Sequence, residues 1–277
     1  MPTNAAESFV AFDLETTGLA VAEDRIIEIG AVRFDGAGAV VATFESMVNP
    51  FRMSSPAAQA VHGIDPALLA AAPPAEAILP SFVSFLGDPD TTIVLAHHSA
   101  SDSGFLGREL VRAGMALPRH YVVDTLAWAR RRWPEFGNHR LDSLARRFGF
   151  DLAEAHRALA DSHRVRQIYR ELVKDDPLPD RPPLAYPIHD GAGSAPVPRG
   201  WSEVAEVMAR AGSIQIEYAG GTRGPEPRVV SPEQFAHRGG VAYLVARCHL
   251  DGRWKDFQVD RIHRFSITDA LVATRSN

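Results

Sequence analysis

The sequence predicts an α/β fold: a mixed sheet with helices on both faces, followed by a small all-β domain. Three observations lead there. Residues 8–48 hold three strand-length apolar runs separated by turn residues, residues 75–174 alternate short apolar runs with helical periodicity, and residues 213–260 return to short strands alone. Strands fall near 8–14, 27–34 and 39–48. The stretch from Gly18 to Asp24 separates the first two and Asp35-Gly36-Ala37-Gly38 the last two, which suits an antiparallel meander. Short strands at 92–96 and 121–123 then alternate with helices near 75–87, 103–114, 125–132, 141–148 and 157–174, a pattern that adds parallel strands and places helices on both faces.

From Asp175 to Gly200 the pattern stops. Pro177, Pro179, Pro182, Pro183, Pro187, Pro196 and Pro198 oppose helix and central strand, and Asp190-Gly191-Ala192-Gly193-Ser194 adds flexibility, so residues 175–200 read as a linker. A loop wrapping the first domain is the other reading. Beyond it come a short helix at 201–211 and strands at 213–219, 227–230, 241–249 and 254–260. The expected organisation is therefore a first domain at 1–174, the linker, and a second domain at 201–277.

Composition bounds the function without choosing it. A chain of 277 residues with 45% hydrophobic content can bury one full domain and a smaller second one. The formal net charge is −5, unevenly spread: residues 1–198 carry 18 Lys+Arg against 25 Asp+Glu, and residues 199–277 carry 11 against 9. The single cysteine, Cys248, excludes an intrachain disulfide and fits a reducing compartment. No apolar run approaches a membrane span and the first residues lack a signal-peptide pattern, so the expectation is a cytoplasmic protein with no membrane partner.

The chemistry begins at Phe12-Asp13-Leu14-Glu15. On a strand, residues i and i+2 share a face, so Asp13 and Glu15 point together while Phe12 and Leu14 enter the opposite layer. Two anions that close call for a cation, and a hard divalent ion binds carboxylate oxygens well; the other reading of this segment is a strand running out into a loop. Further carboxylates follow. Asp102 lies near the start of an apparent helix after the strand Ile93-Val94-Leu95-Ala96, and Asp161 stands on the apolar stripe of Val165, Ile168 and Leu172, where an unpartnered charge is expensive. Asp13, Glu15, Asp102 and Asp161 form a hard-oxygen set suited to two Mg²⁺ or Mn²⁺ ions, the arrangement that serves phosphodiester hydrolysis. Zn²⁺ fits less well, since carboxylates dominate and Cys248 lies elsewhere.

Together these segments resemble the DEDDh (DnaQ-like) group of 3′–5′ exonucleases over residues 8–173. The matching pieces are Asp13-x-Glu15-Thr16-Thr17-Gly18-Leu19, His97 with Asp102 five residues on, and His156 with Asp161 five residues on. Val61-His62-Gly63-Ile64, Phe105-Leu106, Asp124-Thr125-Leu126 and Leu141-Asp142-Ser143-Leu144 fall in the expected order. The resemblance implies a ribonuclease-H-like fold, the four carboxylates as metal ligands, and single-stranded DNA or RNA as substrate. It implies a general base at His156, whose imidazole has an ordinary pKa of about 6.5. Thr16, Thr17, Gly18, Leu19, His62 and His98 stand where the family holds the terminal nucleotide. The match departs at His97-His98-Ser99-Ala100-Ser101-Asp102, where His98 and Ser101 replace the usual asparagine and phenylalanine. Arg130-Arg131-Arg132, Arg140 and Arg146-Arg147 are either strand contacts or a solvated helix face.

The second domain resembles a WYL domain, a small SH3- or Sm-like β-barrel. The residues that carry this are Ile214-Gln215-Ile216-Glu217-Tyr218, Arg228-Val229-Val230-Ser231-Pro232, Tyr243-Leu244-Val245-Ala246 and Phe257-Gln258-Val259-Asp260-Arg261-Ile262, with Ala242 in place of the eponymous tryptophan. The resemblance implies a module that binds the strand or a regulatory nucleotide through Tyr218, Arg228, Tyr243 and Arg261, since Arg with Tyr can pair a phosphate and stack a base. The other reading makes Tyr218 and Tyr243 core aromatics. Two functions follow: an active metal-dependent exonuclease, connected with DNA repair or related processing, or a non-catalytic nucleic-acid-binding or nucleotide-sensing protein built on the same scaffold.

Overall fold

The computed structural model describes residues 8–152, 155–174, 183–191, 195–219, 226–238 and 241–268. The chain divides into two compact units, residues 1–192 and 193–277.

In the first unit, β1 (Ser8–Thr16), β2 (Ile26–Phe34) and β3 (Val40–Met47) form the expected antiparallel meander. Three helices follow: α1 (Pro56–His62), α2 (Pro66–Ala71) and α3 (Ala75–Leu86). β4 (Thr92–Ala96) then pairs parallel to β1 and leads into α4 (Ser99–Arg112). β5 (Tyr121–Asp124) pairs parallel to β4 and continues into α5 (Thr125–Arg132), α6 (Leu141–Phe148) and α7 (Ala158–Val173). The sheet closes with β6 (Ala185–Pro187), antiparallel to β5, in the order β3-β2-β1-β4-β5-β6.

Part of the expected linker therefore belongs to this sheet. Leu184, Ala185, Tyr186 and Ile188 are buried, the Asp124 amide donates to Leu184 O (2.8 Å), and the Ile188 amide donates to His120 O (3.2 Å). Proline is compatible with this because β6 is an edge strand with one neighbour. The chain then crosses α4. A Cβ at Gly107 would come within 1.8 Å of the His189 carbonyl oxygen, and one at Gly104 would touch the His189 ring at 3.2 Å, so two glycines three residues apart make the seat for this crossing.

Strand parity sets the two layers. Val10 and Phe12 pack with Leu79 and Phe82 of α3 and Leu106 and Leu110 of α4. Phe9 and Ala11 face the other way, with Phe34, Leu95 and Val165 of α7. Asp13 and Glu15 share the parity of Phe9 and Ala11, which turns both carboxylates toward the α7 layer.

α7 is seated on β2 at a close approach. Gly30 is the register partner of Asp13, and a Cβ on it would lie 2.1 Å from the Ala158 and Leu159 backbone. The Ser162 hydroxyl reaches the carbonyl oxygens of Gly30 (2.8 Å) and Ala158 (2.7 Å). Two residues before Gly30, the fully buried Glu28 accepts the Ala158 amide (3.0 Å) and the Arg157 guanidinium (Nη2 at 2.8 Å, Nε at 3.0 Å), placing an anion at the helix N-terminus, where the dipole favours it.

The second unit holds α8 (Ser202–Ala209) and a five-stranded antiparallel sheet of β7 (Ser213–Tyr218), β8 (Arg228–Arg238), β9 (Val241–Cys248), β10 (Trp254–Gln258) and β11 (Ile262–Thr268), in the order β10-β9-β8-β7-β11. A 3-10 turn at Val259–Arg261 joins the last two. Among the described residues no ladder joins β10 to β11 to close a barrel. β8 runs well past the expected residue 230, its register shifting between Pro232 and Gln234, and β11 lies beyond the strands expected. The core is built from Ile214, Ile216, Val230, Leu244 and Phe257, with Trp201 packed edge-on against Phe235.

Gly30→Ala must push α7 away from β2 and should lower stability by about 1–3 kcal/mol or more. Gly36→Ala, where an added Cβ meets nothing within 4 Å, should leave the thermal midpoint nearly unchanged. Thermal unfolding of the two variants in parallel checks this.

Candidate active site

The carboxyl end of β1 and the first turns of α4 and α7 bring four carboxylates together. Asp13 and Glu15 come from β1, Asp102 from the first turn of α4, and Asp161 from the first turn of α7. Asp102 and Asp161 are buried, at 8% and 5% exposure. Desolvation first, then the charges of Asp102, Asp161, Glu15 and Glu28, drives the Asp13 carboxyl well above the ordinary carboxylate range. Glu15 is pushed up to about 8 by desolvation and then by Asp161, Glu28 and Asp102, with Arg157 opposing. Asp102 is raised by burial and by Asp124. Asp161 is raised by burial, against the pull of Arg164 and the His156 amide. Anions crowded to this degree hold protons unless a cation replaces them, and all-oxygen donors suit Mg²⁺ or Mn²⁺. The residues present thus fit a divalent metal.

His156 enters from the turn before α7. Ligand atoms of Glu15, His156 and Asp161 all lie within 4.8 Å of one another. The His156 amide donates to Asp161 Oδ2 (3.1 Å), and its Nε2 lies 3.7 Å from Asp142 Oδ2 on α6. His156 holds a positive φ of 63°, an uncommon backbone state for a residue with a Cβ. The other Asp161 oxygen pairs with the buried Arg164, whose Nε donates to Asp151 O (3.0 Å).

The residues expected at the terminal nucleotide divide into two groups. Thr16, whose hydroxyl donates to Gly18 O (2.7 Å), and Leu19, 95% exposed, stand at the open end of β1. His98 caps α4 with φ 89°, its imidazole pKa lowered mainly by desolvation. Thr17 and His62 are corrections as side-chain contacts. The Thr17 hydroxyl is fully buried, donating to Asp24 Oδ1 (2.9 Å) and accepting from the Arg25 amide (3.0 Å). His62 is 6% exposed, its Nδ1 accepting the Ile64 amide (3.0 Å) and its Nε2 3.2 Å from Ser54 Oγ. Both brace the loops around the site. Gly18 is required because a Cβ there would come within 2.4 Å of the Asp24 carboxylate. His97, its pKa lowered to about 4 chiefly by desolvation, is a neutral strut between Thr125 Oγ1 (3.0 Å) and His139 O (2.8 Å).

Sequence reasoning missed Glu28, Arg157 and Arg164, and gave Asp142, quoted only within a matching segment, no role of its own. A signal existed for Glu28, a lone carboxylate inside Ile26-Ile27-Glu28-Ile29, and for Arg164, a lone guanidinium on the buried side of α7. In the arginine-rich segment, Arg147 stacks on the Phe136 ring at 3.7 Å.

In the second unit the four expected ligand residues gather around one corner. Tyr218 packs edge-on to Phe257 (5.3 Å), and its hydroxyl accepts the Gln258 amide (3.4 Å). Tyr243 is the register partner of Gln258. The Arg228 guanidinium lies 5.8 Å over the Tyr218 ring, and the Ala219 amide donates to Arg261 O (2.9 Å). Arg228 is 6% exposed, whereas the Arg261 side chain is open to solvent.

This fold, with carboxylates gathered at the end of its central strand, is that of a nuclease hydrolase: residues 10–169 match the Exonuclease family model, and the chain belongs to that family. Residues 201–267 match the WYL domain model, in the order the sequence implied. Among curated relatives, the PolC-type DNA polymerase III of Bacillus subtilis is 36% identical over 172 residues, covering 61% of this chain and 12% of that protein. The Bacillus cereus counterpart is 33% identical over 171 residues, covering 62% and 12%. The chain thus spans about an eighth of the length of these relatives. Among solved structures, E. coli exonuclease I in complex with a dA16 oligonucleotide aligns with a TM-score of 0.58 at 17% identity, covering 87% of this chain and 55% of that one. A zinc-bound form of the same enzyme with single-stranded DNA aligns with a TM-score of 0.59 at 17% identity, covering 87% and 54%. At that identity the likeness concerns the fold. Among the described residues no helix is long and apolar enough to cross a membrane.

The raised Glu15 carboxyl sets a sign for pH. Its folded value of about 8 exceeds the ordinary 4.5, so the stability tied to its protonated form is complete below about pH 4.5 and is lost as pH rises through 8. In chelator, wild type should therefore lose thermal stability relative to Glu15→Gln between pH 5 and pH 8, by at most about 1.4 kcal/mol per pH unit. Added Mg²⁺ or Mn²⁺ should raise the wild-type midpoint more at pH 8 than at pH 5, because the ligands must be deprotonated to bind.

Proposed function

We propose that the protein is a 3′–5′ exonuclease that removes nucleotides singly from the 3′ end of single-stranded DNA, using two Mg²⁺ or Mn²⁺ ions held by Asp13, Glu15, Asp102 and Asp161. The observation that carries this reading is the convergence of those four carboxylates on one another and on His156. Such ions, when bound, neutralise the phosphate, acidify a water and stabilise the leaving oxygen. The chain's own residues do the rest. His156, partly open to solvent, accepts the proton of the attacking water, and Asp142 Oδ2 lies 3.7 Å from its Nε2. The bidentate Arg157–Glu28 pair and the Arg164–Asp161 pair fix the helix end that presents both His156 and Asp161. Thr16, Gly18, Leu19 and His98 frame the terminal nucleotide. DNA as substrate is supported by the polymerase relatives and by the oligonucleotide complex of the structural neighbour.

One observation favours the non-catalytic alternative. Both Asp161 oxygens already have donors, Arg164 on one and the His156 amide on the other. Each oxygen retains a second lone pair for an ion, so the donors do not close the site.

Asp13→Asn should remove nearly all hydrolysis of a 5′-labelled single strand while keeping the fold, because Asp13 neutralises no buried arginine, and chelator should do the same to wild type. His156→Ala should lose on the order of 10²–10⁴-fold. A 3′-phosphate should block degradation and a 5′-phosphate should not. Retention of near-wild-type rates by the Asn variant would refute the metal assignment. DNA and RNA strands of one sequence, run side by side, test the substrate.

The second unit, in this reading, grips the strand through Arg261 and the Tyr218–Arg228–Tyr243 corner. A chain ending after Gly191, which keeps β6 and its crossing of α4, should still hydrolyse short oligonucleotides but bind long ones less tightly, because a tethered second site raises effective concentration. Arg261→Ala in the full chain should reproduce part of that loss with a shallower salt dependence. Equal affinities and equal salt slopes would assign the second unit another role.

A further inference from the structure

The loop between β3 and α1 carries two large apolar side chains in the open, Phe51 and Met53, each 70% exposed. Phe51 holds a positive φ of 52°, which a bulky side chain rarely adopts, with its amide donating to Asn49 Oδ1 (2.9 Å). Glycine would occupy this state without strain, so an aromatic side chain held there is best accounted for by what it meets. Phe51, Arg52 and Met53, with Asn49, Gln59 and Leu69, line a recess of about 240 Å³, mostly apolar and with no carboxylate on its wall. That is below the roughly 300–1,000 Å³ of drug-sized sites, which suits one planar ring system rather than a larger ligand.

The recess adjoins the end of β1. The Ser55 amide donates to Thr17 O (2.8 Å), Ser54 meets His62, and Arg52 pairs with Asp24 (3.5 Å), the residue that also holds Thr17. The surface at the end of β1, the strand that carries Asp13 and Glu15, thus combines an aromatic, a thioether and an arginine, in a unit whose formal charge is otherwise negative. Apolar faces beside an arginine are the chemistry that stacks bases and pairs phosphates along a single strand.

We propose that this recess is a base-stacking subsite: a nucleobase upstream of the 3′-terminal nucleotide lies against Phe51 and Met53, with Arg52 at its phosphate. The inference rests on the nuclease reading for the strand's direction, not for the stacking itself. The subsite places a second grip on the strand within the first unit and makes affinity depend on strand length before the second unit is reached.

The test is binding of fluorescein-labelled tetrathymidylate and of thymidine monophosphate to the full chain with Ca²⁺ in place of Mg²⁺, comparing wild type, Phe51→Ala and Phe51→Trp. Phe51→Ala should weaken the tetranucleotide roughly 5- to 150-fold, the span measured for loss of one base–aromatic stack. The monophosphate should be weakened far less, and Phe51→Trp should bind the tetranucleotide at least as well as wild type. Undiminished tetranucleotide binding by Phe51→Ala, or an equal loss for both ligands, would overturn the proposal. Hydrolysis of the strand by wild type is scored separately. If it is absent while the Phe51-dependent preference for the longer ligand persists, the exonuclease reading fails and the stacking subsite stands.

Discussion

The close approach of α7 to β2 at Gly30 is the constraint on which the rest of the first unit depends. A side chain of any size there would collide with the helix backbone, and without that seat Asp161 and His156 would not reach the face of β1 that carries Asp13 and Glu15. Glu28 completes the joint by taking the first amide of the helix and the guanidinium before it. The element that closes the candidate site is therefore fixed by backbone contact and a buried ion pair rather than by apolar packing alone. Such joints tolerate little, because removing one member of a buried charge pair strands the other.

The same joint creates an electrostatic problem. Glu28 stands directly opposite Glu15 across the β1–β2 ladder, and both add to the field at Asp13. Like charges opposed across a sheet weaken it, and burial amplifies the effect. The protein answers with two arginines, Arg157 at Glu28 and Glu15 and Arg164 at Asp161, while no cation offsets the field at Asp13 and Asp102 among the described residues. Excess negative charge is thereby confined to the place where a divalent ion binds best. Fold stability and metal affinity are consequently linked through the same few oxygen atoms.

Much of this was legible in the sequence, and the exceptions have physical causes. The i, i+2 parity of Asp13 and Glu15 and the place of Asp161 on an apolar stripe announced the cluster, because those patterns depend only on local geometry. The meander and the helices of 125–132 and 141–148 were equally local. Helices α1 and α2 were overlooked although Ser55-Pro56 and Asp65-Pro66 carry an N-cap followed by proline at the first helical position. At six and seven residues they are too short to show periodicity. β6 was hidden by prolines that an edge strand accepts, and β11 by the charged residues of an exposed edge. Thr17 and His62 were placed in the right neighbourhood with the wrong task, since burial of a side chain in a loop leaves no periodic trace. Glu28 was passed over because its partner, Arg157, lies far away in the chain.

The sheet order has a consequence for synthesis. β1, the central strand, leaves the ribosome before the strands it pairs with and can pair early only with β2, through a hairpin, while its other edge must wait for β4 and its covering helix α7. Local pairing is fast and long-range closure slow, so a nascent chain passes through a stage in which the meander exists but half of β1's edge and its acidic end are bare. In that interval Asp13 and Glu15 are still hydrated and lack the neighbour that α7 brings. The carboxylate that arrives last, Asp161, therefore joins the cluster only once the start of α7 has left the tunnel.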